Sequence, residues 1–296
     1  MQAQGSRAAQ TEPVPSLLLA GDIDYGGDPG AGADRGASRS AAVGTRAGFL
    51  PDFKALRETR GEILEVRDSF EGHFPDTRAQ VLRGDKATEE AFRRQAPRSR
   101  YLHLATHGYF APPELRSALG PDDLKAAKAG IDALGGAGVA GYHPGLLSGI
   151  AMAGANRRPT PIGEDDGILT AMEVAELDLS GVELAVLSAC ETGLGEVAGG
   201  EGLLGLQRAF QVAGARSVVA SLWTIGDEPT RALMSRFYEN LWRKGQPPAQ
   251  ALREAQLSML RGSLWRGTLK RETDGPKSDR LPPLYWAAFV LSTDRP

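Results

Sequence analysis

Between Glu183 and Trp223 the chain runs from apolar residues, through glycines, into a helical repeat and back to an apolar run. Glu183 to Ala189 is almost wholly apolar and long enough for one buried strand. Five glycines follow between Gly193 and Gly202. From about Leu203 to Ala213, apolar Leu203, Leu206, Phe210 and Ala213 fall on one helical face, and Gly214 stands where a C-cap is expected. Val218 to Trp223 is again strand-like. Strand, loop, helix and strand in this order predict parallel strands joined by a right-handed crossover.

The same alternation continues on both sides. Leu17 to Ala20 predicts a first strand, and apolar positions from Phe53 to Val66 predict a helix over about 51–70. Gln80 to Leu82 is a short strand, Thr88 an N-cap candidate for a helix ending near Pro97, and Tyr101 to Thr106 a strand. Thr170 is placed to cap a short helix within Ile168–Leu177. Asp227 to Trp242 is amphipathic, Pro247 to Leu260 is helical, and Tyr285 to Leu291 predicts a last buried strand. The pattern predicts an α/β fold, a doubly wound sheet of mostly parallel strands with helices on both faces. Its expected organisation is a disordered segment 1–14 and a single domain over 15–296. That domain carries a flexible loop at 26–48, an insertion at 111–166 and a charged loop at 263–282. Short structure is expected inside the insertion at Asp122–Ala129 and Leu146–Ala153, and the whole is expected to act as a mobile lid.

Composition adds bounds. A chain of 296 residues with 41% hydrophobic content can build its core without cross-links, and its single cysteine favours a reducing compartment, the cytoplasm. The net charge of −3 comes from interspersed acids and bases, so neither nucleic acid nor an anionic membrane is an expected partner. No secretory leader and no membrane-length apolar run is apparent.

In open parallel sheets the chemistry gathers at the carboxyl ends of strands. His107 follows one expected strand and Cys190 ends another. If these strands are neighbours, imidazole and thiol open onto one cleft, the arrangement of a cysteine hydrolase. Either residue alone favours a bland role, Cys190 as a small core hydrophobe and His107 as a hydrogen-bonded strand end, and their joint placement at strand ends beside glycines weighs against it. Asp22 and Asp24 follow the first strand and serve either to solvate a loop or to line a site. His103 and His107 form HxxxH, but on a strand and without the glutamate of HExxH this is a poor zinc motif, and no metal is expected. Gly193, Gly195 and Gly199 miss the dinucleotide fingerprint by one residue. Glu191, Glu196 and Glu201 oppose a phosphate, so no cofactor is expected.

HLATHGYF, LAVLSACETGLGEVAGGEGLLGLQRAFQVAGARSVVASLW, the D-x-x-T of Asp227 to Thr230, FYENL and the closing YWAAFVL together resemble the CHAT domain, a family of caspase-like cysteine peptidases. The resemblance covers about Leu17 to Ser292. It implies a caspase-like fold, His107 and Cys190 as the catalytic dyad, and backbone N–H groups of Gly108 and Cys190 as the oxyanion hole. The caspase signature Q-A-C-x-G is absent, S-A-C-E-T standing in its place, which argues against aspartate specificity. Asp22, Asp24 and Glu191 are the expected substrate-binding residues, with a basic residue favoured before the cleaved bond. The expectation is a bacterial-type cysteine endopeptidase acting on a protein or peptide substrate, in a system with a tetratricopeptide or other sensor module. The rival is a catalytically silent scaffold that binds a partner peptide in the same groove.

Overall fold

The computed structural model describes residues 15–26, 52–56, 58–110, 144–157, 165–188, 190–191, 201–223, 225–261 and 280–293. The segment 1–14, the loop 26–48 beyond Gly26, the element expected at Asp122–Ala129 and nearly all of 263–282 lie outside the described residues.

Six strands form the central sheet: β1 (Leu17–Ile23), β2 (Gln80–Gly84), β3 (Tyr101–Leu104), β7 (Leu184–Leu187), β9 (Ser217–Ser221) and β10 (Phe289–Thr293). Their order is β10-β9-β7-β3-β1-β2, with β10 antiparallel to β9 and every other pair parallel. Strands inside a parallel sheet are covered on both faces and read as continuous apolar runs, as LLLA, LAVL and SVVA do. Alternate side chains serve opposite layers. Leu18, Ala20, Leu102, Leu104, Ala185 and Leu187 meet α2 (Glu89–Gln95), α3 (Ala171–Ala175) and α4 (Glu201–Val212). Leu17, Leu19, Tyr101, Leu184 and Val186 meet α1 (Thr59–His73), α5 (Asp227–Tyr238) and α6 (Pro248–Leu260). Each fully buried leucine of this set stabilises the fold by ~1.5–3 kcal/mol. Gly21 lets α1 lie close on β1, because a Cβ there would stand 2.8 Å from Ile63 Cγ2.

Local signals set the helix ends. Thr88 Oγ1 accepts from Ala91 N–H at 3.1 Å, and Thr170 with Glu173 completes a reciprocal capping box at α3. Gly214 caps α4 at φ +109°. The strand expected over Tyr285 to Leu291 begins only at Phe289, after a 3-10 turn over Pro283–Tyr285, and two further elements differ. The helix expected from about residue 51 starts at Thr59, since the backbone N–H and C=O of Phe53 are both engaged by the Asn156 side chain. Residues 168–170 are strand, paired with residues 149–151, before the capped helix begins.

A second, smaller sheet grows from the carboxyl edge of the first. It comprises β4 (His107–Phe110), β5 (Ser148–Ala151), β6 (Ile168–Thr170) and β8 (Cys190–Glu191), in the order β6-β5-β4-β8. β5 falls within the stretch 111–166, yet it is buried along its length between β4 and β6. That part is core, because its apolar residues complete the layer under α4. Residues 111–143 and 158–164 lie outside the described residues. No helix among the described residues is long and apolar enough to cross a membrane.

Candidate active site

The chain reaches β2 on one side of β1 and then returns to build β3, β7 and β9 on the other. The strand order reverses between β1 and β3, which is where ligands bind in open α/β sheets. β3 and β7 are adjacent, with Leu104 opposite Leu187. Three residues later both chains have entered the second sheet, and His107 stands opposite Cys190. One register, continued from sheet to sheet, brings the expected dyad into a single parallel pair. Gly108 is paired with Glu191 in the same ladder and with Ile150 across β5.

His107 is 3% exposed, so its ring is enclosed rather than open to a cleft. Tyr25 and Phe53 cover it, with ring centroids 5.1 and 5.6 Å away. Its Nε2 lies 2.7 Å from the carbonyl oxygen of Lys54. A carbonyl can only accept, so Nε2 carries a proton and the neutral ring presents a bare Nδ1. Nδ1 is buried and has no hydrogen-bond partner among the described residues. Burial holds the imidazole's pKa below its ordinary value, and the Lys54 carbonyl partly offsets this by favouring the charged ring. The ring is therefore kept neutral, oriented, and with its basic nitrogen unspent.

Tyr25 is locked in turn. The single hydroxyl hydrogen of Thr106 goes to Ala151 O at 2.7 Å, so the 2.8 Å contact between Tyr25 and Thr106 has the tyrosine as donor. Burial pushes the Tyr25 hydroxyl up to about 12, and it stays protonated at any working pH. Tyr25, Phe53, Lys54 and Thr106 were not legible as site residues. The only hint was that aromatic residues stand at the mouth of β1 and before α1.

Asp22 and Asp24 lie at the end of β1 but are differently employed. Asp22 has a left-handed backbone (φ +52°), its N–H donates to Thr59 Oγ1, and its carboxylate takes Arg83 at 2.6 Å. Asp24 is exposed, and its Oδ1 accepts from Gly26 N–H at 2.9 Å. Glu191 is placed by its backbone pairing with Gly108. His103, the other half of HxxxH, points to the opposite layer. Its Nδ1 is 2.8 Å from the Tyr238 hydroxyl and its Nε2 3.1 Å from Glu62 Oε1. Among the described residues no group of three or more His, Cys, Asp or Glu is placed to hold a metal ion.

Over 124 residues the chain is 38% identical to Tetratricopeptide repeat protein 28 of the mouse (Mus musculus), which is 42% of this chain and 4% of that protein. The model of the CHAT domain matches residues 6–294, nearly the whole chain. With its mostly parallel sheet and helices on both faces, this chain belongs to the CHAT domain family, which is related to the caspase-like peptidases.

Proposed function

We propose that the protein is a caspase-like cysteine endopeptidase in which Cys190 is the nucleophile and His107 the base. The observation that carries this reading is the backbone pairing of His107 with Cys190 in a site where the imidazole is oriented by the Lys54 carbonyl and its buried Nδ1 has no hydrogen-bond partner among the described residues. A free thiol titrates near ~8.5, so it needs such a base at neutral pH. In the proposed cycle Nδ1 takes the thiol proton and the sulfur attacks the scissile carbonyl carbon. The tetrahedral oxyanion is held by backbone N–H groups at the two strand starts, Gly108 and Cys190. The imidazolium then gives its proton to the leaving amine as the C–N bond breaks. Water, deprotonated by the same nitrogen, releases the acyl group and restores the thiol.

A basic residue before the cleaved bond remains the proposed preference. Asp24 is exposed to it, whereas a substrate cation reaching Asp22 has to replace Arg83. The similarity to a tetratricopeptide repeat protein supports action alongside such a module, which would deliver the activating signal. A fluorogenic peptide library, with iodoacetamide labelling at neutral pH, tests the reading. Rapid His107-dependent labelling and cleavage lost in Cys190→Ala are expected. Slow labelling that His107→Ala leaves unchanged, with no cleavage, would instead establish the silent scaffold.

A further inference from the structure

We infer that Asn156, a residue outside the dyad, is a positioning residue for the His107 imidazole, fixing at once the carbonyl that orients the ring and the two aromatic rings that enclose it. This rests on the peptidase reading. The Asn156 side chain grips one peptide segment at two points: its Oδ1 accepts from Phe53 N–H at 2.8 Å, and its Nδ2 donates to Phe53 O at 2.7 Å. Turning the amide over would lose both bonds, so its orientation is determined. The next residue, Lys54, supplies the carbonyl that accepts from His107 Nε2–H. The backbone N–H of Asn156 donates to Tyr25 O at 2.8 Å. One residue thus ties down Phe53 and Tyr25, whose rings lie against the imidazole, and through Phe53 the adjoining Lys54 carbonyl.

The grip matters because nothing regular holds residues 52–56. They belong to no helix or strand. Thr59 gives a second anchor, its hydroxyl bonding Leu56 O at 2.7 Å. Between these anchors the Lys54 carbonyl is aimed by Asn156. Asn156 itself sits on a turn fixed by Gly154 N–H to Asp24 O at 3.0 Å and by Arg157 N–H to Gly154 O at 2.8 Å. A carbonyl held in this way favours one tautomer, Nε2–H, and leaves Nδ1 as the base. Released, it leaves the ring free to turn and lowers the stability of the imidazolium.

Asn156→Asp is the sharpest variant, since it keeps size and the acceptor for Phe53 N–H but removes the donor to Phe53 O. Its test combines peptide kinetics, iodoacetamide labelling of Cys190 across pH, and nitrogen NMR of the imidazoles; the chain has four histidines, and His107→Ala assigns the signal. In the wild type the His107 ring should be the Nε2–H tautomer, and the opposite tautomer there would end the inference without any variant. In Asn156→Asp the single-tautomer signal should be lost and labelling slowed. The kcat should fall roughly 10- to 100-fold with KM little changed, the range for a misplaced catalytic group, and the acid limb, where the His107 base becomes protonated, should move to lower pH. Unchanged tautomer and labelling in a folded variant would overturn the inference. If the wild type cleaves no peptide while the variant still alters tautomer and labelling, the positioning role stands and the peptidase reading falls. Cleavage unaffected by the variant has the opposite meaning.

Discussion

His103 and His107 are four residues apart, both are buried, and they do opposite things. His103 projects into the layer of α1 and α5, where both ring nitrogens are engaged, Nδ1 by Tyr238 and Nε2 by Glu62. Burial, and then the Glu62 carboxyl, push the Tyr238 hydroxyl well up, so it stays protonated and can donate to Nδ1. The Nε2–H of His103 then donates to Glu62, and no polar atom of the ring is left over. His107 is enclosed nearly as well but has one nitrogen engaged and one without a partner among the described residues. Burial alone therefore does not separate a core histidine from the one proposed as the base. The separating feature is an unspent lone pair, which costs stability in a low-dielectric interior and persists where chemistry uses it.

The comparison is broken most decisively by deleting each ring. Under the proposed mechanism His107→Ala and Cys190→Ala should each reduce cleavage on the order of 10⁴–10⁶-fold, and the double variant should be little worse, because residues acting as a unit fail together. Circular dichroism should show both variants folded. His103→Ala should show the reverse profile, with the dyad present but the fold weakened by ~3–5 kcal/mol, since a buried carboxyl and a buried hydroxyl lose their shared partner. Chemical denaturation monitored alongside peptide cleavage checks both halves. A His103→Ala protein as stable as wild type would dissolve the distinction.

A smaller effect sharpens it. Tyr238→Phe removes one hydroxyl from the His103 chain and leaves Nδ1 without a donor. The expected cost is about 1–3 kcal/mol, the penalty for a buried polar atom left unpaired. Cysteine labelling at Cys190 should not change, because the network lies on the other face of β3. A Tyr238→Phe protein whose labelling rate falls with its stability would show that the two faces communicate.

Much of the frame was legible in the residues. Continuous apolar runs marked the buried parallel strands, threonines marked two caps, and the equal distance of His107 and Cys190 from their strands already contained the register that pairs them. The unread parts depended on contacts between distant segments. The short structure expected at Leu146–Ala153 carries no sign that Ser148–Ala151 is an inner strand of a second sheet, because its burial comes from β4 and β6. Nothing in NRR marks Asn156 as the clamp of a loop 103 residues earlier. Asp22 read as solvating a loop or lining a site, but its carboxylate pairs with Arg83 on a neighbouring strand, 61 residues away. The helix expected from residue 51 failed for the same reason, since a remote side chain took up the hydrogen bonds that a helix would have used.

The smallest effect concerns acid. The His107 pKa is held below its ordinary 6.5 by burial. Between the lowered value and 6.5 the unfolded chain binds a proton that the folded chain refuses. His107 therefore makes stability rise with pH across that window, and its contribution is fully present above 6.5. Glu89 acts in the opposite sense. Burial and then the nearby Asp166, Glu173 and Asp165 raise it from 4.5 to about 7, against the pull of Arg93. Between those values the folded state binds the extra proton, so stability falls as pH rises. The two trends overlap, and the bare pH profile of the protein identifies neither. The difference between wild type and His107→Gln isolates the histidine, because Glu89 is common to both and glutamine does not titrate. Denaturation midpoints from pH 5 to 7.5 should show the wild type losing more stability than the variant as the pH falls below 6.5. Parallel curves would mean that His107 accepts its proton as readily in the folded protein as in the unfolded chain, and the contrast with a ring kept neutral for catalysis would be gone.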